Sequence, residues 1–192
     1  MRSSAEASAH PRTRIRRLVD LALLVSASLV LFLFESIIPA PLPWVRLGLA
    51  NVMTVAVLYL YGTRDAFLLT IFRVVLGSLL LGSFLAPAFF LSLGGGLAAA
   101  AVMAAARALA SRWLSIVGIS VLGAVAHNAG QLVILSLFFL RGPDAVHLLP
   151  YLTLSATLLG AFTGFAARAL VGYLAAREAD ASPNDTNDTE SS

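Results

Sequence analysis

The feature that most constrains this chain is a succession of six apolar runs, at about 18–38, 45–61, 66–85, 88–108, 114–140 and 148–174, parted by short polar or proline-containing turns. A helix rises about 1.5 Å per residue, so about 20 residues bridge a hydrocarbon layer about 30 Å thick. The first run stops at Pro39-Ala40-Pro41-Leu42-Pro43, where alternating prolines remove backbone donors and favour an extended segment. Gly62-Thr63-Arg64-Asp65 closes the second, Pro87 marks the third turn, Arg107 to Arg112 closes the fourth, and Arg141-Gly142-Pro143-Asp144 follows the fifth. Composition agrees, with 59% hydrophobic and 12% charged residues and a mean hydropathy of +0.88. A soluble domain of this size could not hide so much apolar surface. The expected fold is all-α: a polytopic bundle of six transmembrane helices in residues 18–175. Residues 1–17 form an unstructured basic N-terminus, and 176–192 a polar, disordered tail. The first run is longer than a signal-peptide core, so it is expected to stay as an anchor.

Arginine placement orients the bundle. With six spans and an inside start, the inside segments hold Arg2, Arg12, Arg14, Arg16, Arg17, Arg64, Arg107, Arg112, Arg168 and Arg177, and the outside holds Arg46 and Arg141. This positive-inside bias puts both termini in the cytoplasm, with the bundle in a bacterial plasma membrane. Trp44 and Tyr151 then fall at outer ends, and Tyr59, Tyr61, Trp113 and Tyr173 at inner ends, where amphipathic rings prefer to lie. The net charge of +3 sits beside apolar runs rather than in a solvated stripe, which argues against nucleic acid as a partner.

Two absences exclude chemistry. Without Cys there are no disulfides, thiolate nucleophiles or Cys-bound metals, and without Lys there is no phosphate-binding loop of the G-x-x-x-x-G-K-[ST] type and no Schiff base. Any ATP-driven work would need a second chain to hydrolyse the ATP.

Six polar residues lie where lipid is expected: Glu35, Asn51, Arg73, His127, Asn128 and Gln131. Each ionisable group at such depth costs about 2.5–3.5 kcal/mol on insertion scales and so calls for a partner, a cavity or a role. Five fall in the outer half of the bundle, and Arg73 lies nearer the midplane with a side chain long enough to reach them. His127 and Gln131 are four apart and Asn128 and Gln131 three apart, which makes one polar stripe on the fifth helix. Gly123, Ala124 and Gly130 flank the stripe and are expected to leave space for a small polar ligand. The alternative is that these groups only bond neighbouring helices, and Arg73 could pair with Glu35 or meet a ligand. One His without a neighbouring Cys, Asp or second His does not make a metal site, and no cofactor is expected.

Small residues at four-residue spacing mark close-approach faces: Gly160 and Gly164 after Ala156 on the sixth helix, and Gly96, Ala100, Ala104 and Ala108 on the fourth. Ala22 and Ser26 make a weaker version on the first. Gly94-Gly95-Gly96 could bend the fourth helix, loosen it, or line a cavity.

The segments Glu35-Ser-Ile-Ile-Pro, Arg46-Leu-Gly-Leu-Ala-Asn51, Arg73-Val-Val-Leu-Gly77, Leu91-Ser-Leu-Gly-Gly95 and Gly118-Ile-Ser-Val-Leu-Gly-Ala-Val-Ala-His-Asn128-Ala-Gly-Gln131 resemble the membrane family labelled "heptaprenyl diphosphate synthase component I" or "Gx transporter" over about residues 18–175. That family is similar to the S components of energy-coupling factor transporters, six-helix vitamin-binding proteins with cytoplasmic termini and an outward-facing pocket. The resemblance implies an S-component-like bundle whose first helix docks, through Ala22 and Ser26, on a transmembrane coupling subunit driven by ATPases. Ser26 departs from the usual Ala pattern.

The enzyme label meets an obstacle in the residues. Prenyl diphosphate synthases hold Mg²⁺ through paired Asp-rich motifs, and no Asp-Asp pair occurs in this chain. Catalysis by this chain alone is therefore not expected. The leading reading is a membrane subunit that binds a small polar metabolite for uptake. A noncatalytic subunit of a prenyl diphosphate synthase and a membrane scaffold are the alternatives.

Overall fold

The computed structural model describes residues 11–37, 48–138 and 149–180. The Pro-rich segment that ends the first run, the turn at Arg141 and both extreme termini lie outside them. Six helices are present among the described residues: α1 (Pro11–Ile37), α2 (Leu49–Leu60), α3 (Thr63–Leu80), α4 (Pro87–Ala110), α5 (Ile116–Phe138) and α6 (Leu149–Asp180).

Four of them, α1, α4, α5 and α6, are long and apolar enough to cross a membrane. Helix α2 is shorter than the run expected at 45–61: its 12 residues cover about 18 Å. Three further boundaries differ. Helix α1 starts at Pro11, so residues 11–17 are helical rather than unstructured, because proline at the first position is preset for a helix. Helix α3 ends at Leu80 rather than near Leu85, since Gly82 takes φ +64°, a left-handed turn that stops the helix. Helix α6 continues to Asp180, through the start of the expected tail.

The helices alternate in direction. Arg17 at the start of α1 pairs with Asp65 at the start of α3 at 2.5 Å, and Arg107 near the end of α4 reaches the end of α2. One end of the bundle therefore carries Arg17, Arg64, Arg107, Arg112 and Arg177 together. Helix α2 occupies the centre and packs against all five others. Eight of its residues are buried, and Val55, Ala56 and Val57 are fully enclosed, consistent with a helix that is apolar around most of its circumference.

Glycines set the closest approaches. A methyl on Gly164 would come within 2.8 Å of Val117 Cα and one on Gly160 within 2.8 Å of Val121 Cα, so α6 lies backbone to backbone on α5. The glycine triplet lies within a continuous α4 and faces three neighbouring side-chain groups. Gly94 faces Ile134, Gly95 faces Gln131 and His127, and Gly96 faces Thr70. Outward, α1 exposes Leu18, Leu23, Val30, Phe34 and Ile37, and α6 exposes Leu154, Leu158, Phe162 and Phe165. Such continuous apolar faces are stable in lipid and not in water.

Candidate functional site

A short helix buried in a membrane bundle has a specific difficulty: its first N–H groups and last C=O groups lack intrahelical partners, and no bulk water is at hand to satisfy them. Both ends of α2 are met by charged side chains from other helices. At the N-terminus, the Glu35 carboxylate of α1 accepts a hydrogen bond from the backbone N–H of Leu49. At the C-terminus, the Arg107 guanidinium of α4 donates to the carbonyls of Leu58 and, at 3.3 Å, Tyr59, and stacks over the Tyr59 ring at 4.9 Å. An anion at the helix start and a cation at its end both complement the macrodipole. Gly48 opens α2 at φ +73°, and no atom lies within 4 Å of where its Cβ would stand, so it is needed for backbone conformation rather than for space.

Two small cavities meet at this N-terminus. The first, about 30 Å³, is lined by Glu35, Asn51, Arg73 and His127, with Phe32, Gly48, Ala50, Val74 and Ser92. The second, about 20 Å³, shares Gly48, Asn51 and His127 and adds Asn128, Ser155 and Thr163 among others. Glu35, Asn51 and Arg73 are buried, Arg73 at 4% exposure, while His127 and Asn128 are half-buried. Each cavity has room for one or two waters. A metabolite larger than water would enter only with displacement of side chains.

Five of the six expected site residues thus converge on adjoining cavities. Gln131 does not line them. It is 5% exposed and packs on α4, where a methyl on Gly95 would stand 2.7 Å from its Cγ. The space expected beside the stripe is also largely filled. Gly130 lies against Ala98 and the Gly94 carbonyl, Gly123 accommodates Met103, and only Ala124 borders a cavity. The glycines serve α4–α5 packing, a role that the composition of one helix cannot distinguish from a vacancy. Ala22 and Ser26 are exposed on α1, and the Ser26 hydroxyl donates to the Ala22 carbonyl at 2.8 Å.

Sequence reasoning missed Ser92, Ser155 and Thr163 as lining residues. Thr163 lies 3.1 Å from the hydroxyl of Ser120, which ties α5 to α6 beneath the second cavity. Ser92 stands in the Leu91-Ser-Leu-Gly-Gly95 segment, and its place as a polar residue in an apolar helix was the available signal. Among the described residues no group of three His, Asp or Glu could hold a metal ion.

A bundle with continuous lipid-type faces and buried charges at its centre is a multi-pass membrane protein. A family model described as heptaprenyl diphosphate synthase component I matches residues 24–170, and the chain belongs to that family. No curated protein and no solved structure matches it at a significant level.

Proposed function

We propose that this chain is a noncatalytic membrane component that works beside a separate prenyl diphosphate synthase subunit. Membership of the component I family over residues 24–170 carries this reading. The absence of any Asp-Asp pair in the sequence supports the division of labour, since the Mg²⁺-diphosphate chemistry then belongs to the partner. The chain forms six spans between two polar tails, with both termini on the cytoplasmic face of a bacterial plasma membrane, as the arginine distribution favours.

A second reading, uptake of a small polar metabolite in the manner of an S component, is favoured by one observation: Glu35, Asn51, Arg73 and His127 border one cavity, with Asn128 in the next. In that reading Arg73 and His127 contact the ligand, Glu35 positions α2, Gln131 supports the α4–α5 contact, and Ala22 and Ser26 face a coupling subunit with ATPases.

Purification under mild detergent, with identification of both partner proteins and bound small molecules, tests the two readings together. The first expects an Asp-rich soluble synthase, and its absence together with normal polyprenyl chain lengths in a deletion strain removes it. The second expects ATPases and a bound polar metabolite. Arg73→Ala or His127→Ala then lowers affinity for that metabolite at least about tenfold, as loss of a buried charged hydrogen bond does, and unchanged affinity rejects the site.

A further inference from the structure

A third cavity lies away from the polar site and differs from it in size and lining. At the arginine-rich end, Val19, Leu23 and Leu24 of α1 face Leu174 and Arg177 of α6 across a cleft of about 320 Å³, with Asp20 and Tyr61 completing the wall. That volume is more than ten times that of either polar cavity and falls within the range of about 300–1,000 Å³ typical of ligand pockets. The cleft exists because α1 and α6 each pack on α2, and α2 ends at Leu60.

Its depth in the membrane follows from the spans. The apolar stretch of α1 begins at Arg17 and that of α6 ends at Arg177, so the cleft sits at the boundary of both. Trp113 and Tyr173, exposed at 88% and 66%, lie at the same end, the level at which aromatic rings meet lipid headgroups. The lining combines four aliphatic side chains with one acid and one base, and among the described residues Asp20 and Arg177 form no ion pair with each other.

We propose that this cleft binds a phospholipid whose headgroup carries both a phosphate and a primary ammonium. The acyl chain lies along Val19, Leu23, Leu24 and Leu174. The Arg177 guanidinium donates to the phosphate, for which its planar fork is suited. The Asp20 carboxylate accepts from the ammonium, which a quaternary ammonium cannot replace because it has no N–H. An anionic headgroup without an amine would leave Asp20 facing negative charge. The proposal is independent of the partner and ligand readings above.

The test is competition. The full-length protein, stripped of lipid in detergent, is exposed to an equimolar mixture of phosphatidylethanolamine, phosphatidylcholine and phosphatidylglycerol, and its adducts are weighed by native mass spectrometry. Phosphatidylethanolamine adducts are expected to exceed the other two several-fold. Asp20→Asn is expected to remove the advantage over phosphatidylcholine, and Arg177→Gln to weaken all three by about tenfold. Leu23→Trp, which fills the cleft, is expected to reduce adducts while leaving the helical circular dichroism signal unchanged. Equal adducts on the wild-type protein overturn the proposal, as does a phosphatidylethanolamine preference that neither Asp20→Asn nor Arg177→Gln alters. A photo-crosslinker at Leu174 that captures a polypeptide instead of lipid in membranes also overturns it. Should a variant fail to fold, the wild-type competition decides.

Discussion

The two ends of α2 meet the same physical requirement with opposite charges and different surroundings. At the C-terminus, Arg107 lies on the Tyr59 ring and donates to two carbonyls, so one side chain covers the helix end through several contacts. At the N-terminus, Glu35 accepts from the Leu49 N–H and shares its surroundings with Arg73, His127 and Asn51 around a cavity. The contrast separates a fastening from a site. Where a helix end needs only to be held, a stacked guanidinium seals it, and where it borders a cavity, the cap is a shorter side chain among other polar groups that a ligand could engage.

Three substitutions test that asymmetry, measured as unfolding free energy in mixed micelles. Arg107→Ala should have the largest effect, a loss of about 2–3 kcal/mol, because charged hydrogen bonds to two carbonyls and a ring contact disappear together. Glu35→Ala should cost about 1–2 kcal/mol, the usual range for a lost helix cap, and Glu35→Gln should recover part of this, since an amide oxygen still accepts. If Glu35→Ala proves the costlier of the two, the N-terminal end is the fastening and the distinction reverses. Arg17→Gln should have the smallest effect, below about 1 kcal/mol, as its pairing with Asp65 is exposed on the arginine side. A larger loss would show that the α1–α3 pairing also holds the bundle end.

Much of this arrangement was legible in the residues because the signals are local. Apolar runs, turns and the three-and-four spacing of His127, Asn128 and Gln131 are properties of single helices, and all six helices are present where runs were expected. What escaped was long-range. Glu35 and Leu49 are 14 positions apart and Arg107 and Leu58 are 49 apart, and no spacing rule connects a side chain to a helix end at that remove. Arg107 read as one more orienting charge, whereas the structure engages it in the bundle. Gln131 read as part of the stripe because helical period assigns a face but not the neighbour that covers it, and Gly95 of α4 covers it. The shortness of α2 was hidden as well, since its run is continuous in sequence with apolar residues outside the described region.

The glycine triplet of α4 has a kinematic consequence. Successive residues on a helix point about 100° apart, and Gly94 and Gly95 are committed to α5 while Gly96 is committed to α3. Turning α4 by a single residue would drive Leu93 or Leu97 into a gap that now admits only hydrogen. The helix is therefore keyed against rotation, like a shaft with slots on two sides. Any widening of the cavity beside Arg73 is left to a hinge at Gly48 or a sliding of α1, so a spin label on α4 should report no turn when the site fills.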